Sequence, residues 1–322
     1  MIKWLVYYGM RWMDFGAKPD PTLGYQRFNE FIHYLHEKQW AMFEEQYAAL
    51  SVDERHLLMC AIPQKLKQRE LYDAWRRNSS SYLALQFSGG FELTQAWDIR
   101  GALTVDYLPD AVAERFNQGC CDAHALFMQA LELGADDAEL YVGLLQTFAG
   151  FCPGSAEILD VFYRIVDAGT RHLGAAICTL VALSDKWHGS HEEMYGFAFS
   201  MAKQDPYYNA LIPCAHIEKW QSDVMDDVPF HGYFFKQEII HQEVITAEKT
   251  DLCLQSEDRF SSLMASNVYA YLGYKANIRL LATKHLLKFR HLYTAEPWSY
   301  DGNPATVLNK ARRSFRLGAL KS

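Results

Sequence analysis

Apolar side chains recur at every third or fourth position over most of this chain, which is the spacing of one face of an α-helix. One stretch places Phe116, Ala123 and Phe127 on such a face, and a later stretch does the same with Leu140 and Leu144. Strict alternation of apolar and polar residues, the mark of a half-buried strand, is almost absent. The pattern therefore predicts an all-α protein.

Short polar turns interrupt these helices at a nearly constant spacing. Gly134, Gly169 and Asp205 mark three turns that lie about 35 and 36 residues apart, which is the period of helical-hairpin repeats. Each unit consists of an apolar helix, a turn and another apolar helix, and neighbouring units can bury each other's apolar faces. We expect a right-handed stack of helical hairpins over residues 109–222, between an N-terminal helical region (1–108) and a C-terminal helical region (223–322) that acts as a cap and ends in a basic tail.

Local patterns set several predicted helix boundaries. Ser51 with Glu54, and Ser190 with Glu193, have the spacing of a capping box, in which two side chains satisfy free N–H groups at a helix start. Proline interrupts the helical hydrogen-bond ladder, so Pro63 is expected to stop the helix that Ser51 begins.

Two adjacent glycines interrupt another predicted helix, which runs from Tyr82 to Arg100. Glycine is unfavourable inside a helix because it is conformationally free. We therefore expect a break or a tight turn at Gly89 and Gly90.

The first of the three turns lies in a stretch that resembles a known repeat. Residues 127–141 are similar to the junction between consecutive tetratricopeptide repeats (TPR): Ala130 is small enough for two helices to approach closely, and Tyr141 and Leu144 begin the next apolar face. The proline that is usual near this turn is absent. The resemblance implies a TPR-like α-solenoid.

A second resemblance covers roughly residues 81–221. The motifs at 97–101 and 186–194 resemble those of an uncharacterised bacterial family, domain of unknown function 4034, which usually has a second glycine where this chain has His188. The resemblance implies a helical repeat fold and no particular activity.

Charge and cysteine content narrow the classes of function. The segment 302–322 has five basic residues and no acidic one, which leaves 26 basic against 39 acidic residues in the rest of the chain, a net charge of −13. An acidic body disfavours nucleic acid as the main partner, because phosphate binding needs clustered lysine and arginine, and it suits a basic protein partner. Seven cysteines without a Cys-x-x-Cys pair indicate free thiols in a reducing cytoplasm.

Neither export nor membrane insertion is predicted. The apolar N-terminal stretch resembles a signal peptide, but Arg11 and Asp14 follow it and no clear small-x-small cleavage site appears. No segment has the roughly 20 apolar residues that span a bilayer.

Metal and catalytic motifs are absent from the sequence. His33 and His36 share a helix face, and His188 and His191 flank a helix start, but no His-Glu-x-x-His and no Cys/His set with zinc spacing occurs. A nucleophile elbow, a P-loop and a dinucleotide fingerprint are also missing. We predict no catalytic residues, no cofactor and no metal, and the alternative is an enzyme with an unrecognised, His-based hydrolytic site.

Six residues are candidates either for partner recognition or for locking consecutive hairpins together: Trp97, Arg100, Lys186, Trp187, Ser190 and Glu193. Trp97 and Arg100 lie at i and i+3 on one predicted helix, and Arg100 is expected to need a carboxylate or carbonyl acceptor. We favour the lock interpretation, because tryptophan supplies a large buried area. The other interpretation is a recognition surface, since tryptophan and arginine are preferred at interface hot spots.

These observations together favour a non-catalytic, protein-binding scaffold without nucleic acid or a membrane span. One specific version is an immunity or adaptor protein of the bacterial cytoplasm, whose acidic body covers a basic toxin or effector.

Overall fold

The computed structural model describes residues 19–101, 108–151, 153–187, 189–229 and 231–317. Every regular element in these ranges is a helix and none is a strand, so the predicted all-α class is confirmed. No helix within the same ranges is both long enough and apolar enough to cross a membrane. The predicted N-terminal apolar stretch and His188 lie outside the described residues.

The helices divide between two compact units, Tyr25–Glu193 and a second unit that combines Met1–Gly24 with Met194–Ser322. Those of the first unit are α1 (Phe28–His36), α2 (Trp40–Ala48), α3 (Val52–Lys65), α4 (Arg69–Asn78), α5 (Tyr82–Arg100), α6 (Asp110–Glu132), α7 (Ala138–Thr147), α8 (Ser155–Asp167) and α9 (Leu173–Ala182). After them come α10 (His191–Gln204), α11 (Leu211–Met225), α12 (Glu238–Thr250), α13 (Arg259–Lys275), α14 (Arg279–Phe289) and α15 (Pro304–Ser314).

This division differs from the predicted boundaries after residues 108 and 222. The helices α5 and α6 lie on either side of the first boundary, yet a Cβ added to Gly119 of α6 would lie only 2.8 Å from Ala96 Cβ of α5. Such close packing joins the predicted N-terminal region to the predicted repeat core. The second unit begins at Met194, inside α10.

Fully buried aromatic side chains form the core of the Tyr25–Glu193 unit. The ring of Phe43 meets Trp75 edge to face at 4.8 Å between centroids, and it meets Phe87 in the same way at 5.1 Å. All three side chains are inaccessible to solvent. Burial of these large apolar side chains stabilises the packing of α2 against α4 and α5.

The predicted break at Gly89 and Gly90 is wrong, because α5 continues through both residues. A Cβ on Gly89 would lie 2.8 Å from the Phe127 ring, and one on Gly90 would lie 2.7 Å from Met59 Cε. The two glycines thus allow neighbouring helices to approach α5 closely. This tertiary packing outweighs the weak helix propensity of glycine.

The predicted stop at Pro63 is also wrong, although the capping box of Ser51 and Glu54 that begins α3 is confirmed. The helix passes Pro63 and ends at Lys65. Pro63 lies near the end of a helix that is already formed, and its buried ring packs against α5 beside Gly90. This burial offsets the one hydrogen bond that proline cannot donate.

Two of the three predicted turns depend on glycine in a left-handed conformation. Gly134, between α6 and α7, has φ of +79°, and Gly169, between α8 and α9, has φ of +75°. A β-carbon is unfavourable in this conformation, which is why glycine commonly follows a helix end. At the third turn Asp205 accepts the Tyr207 N–H at 3.0 Å and caps a short 3-10 helix. The stacking of all hairpins into a solenoid stays a prediction.

Candidate functional site

Two of the candidate residues, Trp97 and Trp187, meet within the Tyr25–Glu193 unit. Trp97 lies in the last turn of α5 and Trp187 in the turn after α9, and their ring centroids are 6.0 Å apart with an interplanar angle of 77°. Trp97 also contacts Phe116 of α6, at 4.9 Å between centroids. The three rings therefore bring together segments that are distant in the sequence.

Arg100 lies among these three rings. Its Cζ atom is 5.4 Å from the Trp97 centroid and 5.5 Å from the centroids of Phe116 and Trp187. All three distances are within the range of a cation–π interaction. We call Trp97, Arg100, Phe116 and Trp187 the Arg100 cage.

The expected hydrogen-bond acceptor of Arg100 is not found within the described part of the chain, where aromatic rings surround the guanidinium instead. Burial lowers the pKa of Arg100 from its ordinary value. Trp97, Arg100 and Trp187 are half-buried, whereas Phe116 is buried beneath them. The cage therefore combines a cation with two tryptophan rings that solvent still reaches.

The remaining three candidate residues are not part of the Arg100 cage: Lys186, Ser190 and Glu193. Lys186 is half-buried in the turn after α9. Ser190 Oγ accepts the Glu193 N–H at 3.2 Å and donates to Glu193 Oε2 at 2.9 Å, so this pair caps the start of α10 as predicted. Hydrogen bonds from Ser155 and Ser190 lower the pKa of the exposed Glu193 carboxylate. These two capping residues have a structural role at the helix start.

A second polar group, which the sequence analysis missed, lies inside the same unit. The Glu139 carboxylate on α7 contacts two imidazoles: Oε2 is 3.0 Å from His56 Nδ1, and Oε1 is 2.7 Å from His172 Nε2. Cys60 follows His56 by one turn of α3, and its Sγ atom is 3.9 Å from His56 Nε2. We call these four residues the His56 cluster.

Electrostatic attraction keeps the buried Glu139 charged. Burial raises the pKa of this carboxyl, but the positive charge of His56 and the hydrogen bonds from His56 and His172 more than offset that effect and bring the pKa to about 2. Burial lowers the pKa of His56, whereas Cys60 and Glu139 raise it, and the net result lies well above the usual value. The two shifts together favour the ion pair of a charged His56 and a charged Glu139.

His172 is fixed by a third interaction. It is the N-cap residue of α9, and its Nδ1 accepts the Ala175 N–H at 3.0 Å. A ring nitrogen that accepts a hydrogen bond carries no proton, so the proton of this imidazole lies on Nε2. His172 Nε2 consequently donates to Glu139.

Two imidazoles and a carboxylate also form a common metal-ligand set, and the ligand atoms of His56, Glu139 and His172 lie within 4.8 Å of one another. The hydrogen bonds of His172 do not fit a metal. An imidazole that coordinates through Nε2 usually donates its Nδ1–H to an acceptor, but here Nδ1 faces the N–H of Ala175. If His172 Nε2 coordinated a metal, its Nδ1–H and the Ala175 N–H would face each other as two donors without an acceptor. The two imidazoles are therefore arranged to hydrogen-bond to Glu139 and not to bind a metal.

No family model, curated protein or solved structure matches this chain. The resemblances to tetratricopeptide repeats and to domain of unknown function 4034 therefore stay predictions.

Proposed function

We propose that this protein is a non-catalytic scaffold that binds another protein through the Arg100 cage. The observation that supports this proposal is that Trp97, Arg100 and Trp187 meet on one partly exposed surface. Tryptophan and arginine are the residue types that most often dominate the energy of protein interfaces. A surface that already holds an arginine between rings loses little side-chain freedom when a partner binds.

A carboxylate of the partner is the chemical complement of the cage. The planar guanidinium offers several N–H donors in a geometry that matches a carboxylate, and no acceptor within the described residues hydrogen-bonds to it. The surrounding rings exclude water from one side of such a pair, which strengthens the electrostatic attraction.

The overall charge of the unit favours a basic partner surface around that carboxylate. Residues 25–193 include 13 basic and 24 acidic residues, a net charge of −11. Long-range attraction to this acidic unit would accelerate association, and the local pair at Arg100 would fix the orientation of the partner. The immunity or adaptor role in a bacterial cytoplasm, with a basic toxin or effector as partner, is the specific form of the proposal.

The proposal can be tested by comparing Arg100 with a second arginine that also lies over an aromatic ring. Arg69 also lies over an aromatic ring, with Cζ 5.1 Å from the Phe91 centroid, but its guanidinium binds Glu92 at 2.7 Å. We expect Arg100→Ala to weaken binding of a partner recovered from the native host by roughly 2 kcal/mol or more, the hot-spot scale, and Arg69→Ala to leave it unchanged. Titration calorimetry at two salt concentrations measures both effects.

The same titration contains the outcome that would contradict the proposal. If Arg100→Ala and Trp187→Ala both bind the partner as the unchanged protein does, the cage is not the binding surface. If the affinity does not fall as the salt concentration is raised, the acidic charge of the unit does not attract the partner.

A further inference from the structure

The His56 cluster aligns a thiol, an imidazole and a carboxylate. Cys60 Sγ is 3.9 Å from His56 Nε2, and His56 Nδ1 is 3.0 Å from Glu139 Oε2. Helical geometry sets the first contact, because residues four apart share one face of α3. In this order a charged imidazole can donate its Nε2–H to the thiolate, while the carboxylate orients the ring and stabilises its positive charge.

Packing on the other side holds the imidazole in this position. A Cβ on Gly174, in the first turn of α9, would lie 2.2 Å from His56 Nε2. Only glycine therefore leaves room for the ring at that place. Since Glu139 occupies Nδ1, the remaining nitrogen of His56 is the one that faces Cys60, which is itself partly exposed.

The other cysteines that the structure describes in the Tyr25–Glu193 unit, Cys120, Cys121 and Cys178, differ from Cys60. Burial raises the pKa of Cys120 to about 12 and that of Cys178 to about 11, so both thiols stay protonated at neutral pH. Cys121 is exposed on α6 and makes no hydrogen bond within the described residues. It therefore serves as an internal standard for an accessible thiol without assistance.

We propose that Cys60 is a nucleophilic thiol that forms mixed disulfides with low-molecular-weight disulfides, a reactivity independent of the proposed binding function. The Cys60 thiol releases its proton to solvent, the positively charged His56 stabilises the resulting thiolate through its Nε2–H, and the thiolate attacks one sulfur of the disulfide. A new sulfur–sulfur bond forms at Sγ as the original bond breaks, and the leaving thiolate takes a proton from solvent. A free thiol reverses the reaction by attacking the mixed disulfide.

The test is the reaction of the folded, full-length chain with the aromatic disulfide 5,5′-dithiobis(2-nitrobenzoic acid), followed by acid quenching and peptide mapping by mass spectrometry. At pH 6 we expect Cys60 to react about tenfold faster than Cys121, because the positive charge of His56 lies beside the Cys60 sulfur and stabilises the attacking thiolate.

The variant His56→Gln removes the positive charge beside the thiol and retains an amide that can donate to Glu139. We expect it to slow the reaction of Cys60 about tenfold and to leave Cys121 unchanged. Rapid labelling of the buried Cys120 would reveal that the variant is unfolded, and the ratio of the Cys60 and Cys121 rates in the unchanged protein then decides. The proposal is overturned if Cys60 reacts no faster than Cys121 at pH 6, or if folded His56→Gln reacts as the unchanged protein does.

Discussion

Each of the two compact units buries a carboxylate, and the pKa values of the two carboxylates shift in opposite directions. Glu139, in the Tyr25–Glu193 unit, is 1% exposed and has a pKa of about 2. Asp251, in the other unit, is 0% exposed and has a pKa of about 6. Burial raises the pKa of both groups, so the difference must come from their partners.

Both carboxylates are well supplied with hydrogen bonds. Glu139 accepts from two imidazoles, at least one of which is charged. Asp251 accepts from the Tyr269 hydroxyl at 2.8 Å and from the Leu254 N–H at 3.1 Å, both of which are neutral. The comparison indicates that a positive partner, rather than the number of hydrogen bonds, keeps a buried carboxylate ionised.

The two units also differ in net charge. The Tyr25–Glu193 unit carries −11, whereas the remaining residues include 18 basic and 15 acidic residues, a net charge of +3. The acidic charge of the chain is therefore concentrated in the unit that contains both the Arg100 cage and the His56 cluster. A basic partner would consequently be attracted by this unit and not by the other.

The largest expected effect is on the free energy of unfolding, when each buried carboxylate is replaced by the corresponding amide. Glu139→Gln should lower the free energy of unfolding by roughly 3–5 kcal/mol, because it leaves the His56 imidazolium buried without its counter-ion. Asp251→Asn should cost far less at pH 7, because a neutral amide oxygen still accepts the same two hydrogen bonds. Denaturant unfolding of both variants measures the difference, and equal losses would contradict the explanation from charged partners.

The pH dependence of stability should also differ between the units. The folded pKa of Asp251, about 6, lies above the ordinary value of 3.8, so its unit should gain stability as pH falls from about 6 to 3.8, by up to roughly 2–3 kcal/mol. The folded pKa of Glu139, about 2, lies below the ordinary 4.5. Its contribution should be present above pH 4.5 and lost as pH falls from there towards 2.

Hydrogen exchange, corrected for the intrinsic effect of pH and resolved by peptide, measures the stability of each unit separately. Asp251→Asn should abolish the gain in its own unit, and Glu139→Gln should abolish the acid-induced loss in the Tyr25–Glu193 unit. A gain at mild acidity that persists in Asp251→Asn would assign the effect to a different group.

Two tryptophans of the Tyr25–Glu193 unit separate the lock interpretation from the recognition interpretation. Trp75 is fully buried, so Trp75→Ala should lower stability by roughly 3–5 kcal/mol. Trp97 is half-buried, and Trp97→Ala should lower it by about half as much while it weakens partner binding. Thermal melting of both variants provides the comparison. Equal losses in the two variants, with partner binding retained, would establish Trp97 as a hairpin lock.

Local features of the fold could be predicted from the sequence. The capping residues Ser51 and Ser190 and the left-handed turns at Gly134 and Gly169 depend on residues within one or two turns of the chain. Their physical causes, a free N–H group or the absence of a β-carbon, are properties of single residue types. The all-α class followed from the spacing of apolar residues for the same reason.

Features that depend on tertiary packing could not be predicted. Helix propensity is a property of single residue types, so it does not predict that the Phe127 ring packs against Gly89. The His56 cluster combines α3, α7 and the cap of α9, which are distant in the sequence. Two weak indications were present: His56 and Cys60 share a helix face, and Glu139 lies beside a run of apolar residues. Neither indicates which segment supplies the partner.

The smallest expected effect separates the capping residues from the Arg100 cage. Ser190→Ala removes the oxygen that accepts the Glu193 N–H at 3.2 Å, which should cost about 1 kcal/mol, the usual contribution of a helix cap. Ser51→Ala, which removes the corresponding acceptor of Glu54 at 3.3 Å in α3, should cost a similar amount and serves as its control. Both variants should bind the partner with unchanged affinity, because a cap stabilises its own helix start and adds no group to the cage. Denaturant unfolding and titration calorimetry on the same samples measure the two quantities. A tenfold loss of affinity in Ser190→Ala, without a matching loss in Ser51→Ala, would extend the binding surface from the cage to the start of α10.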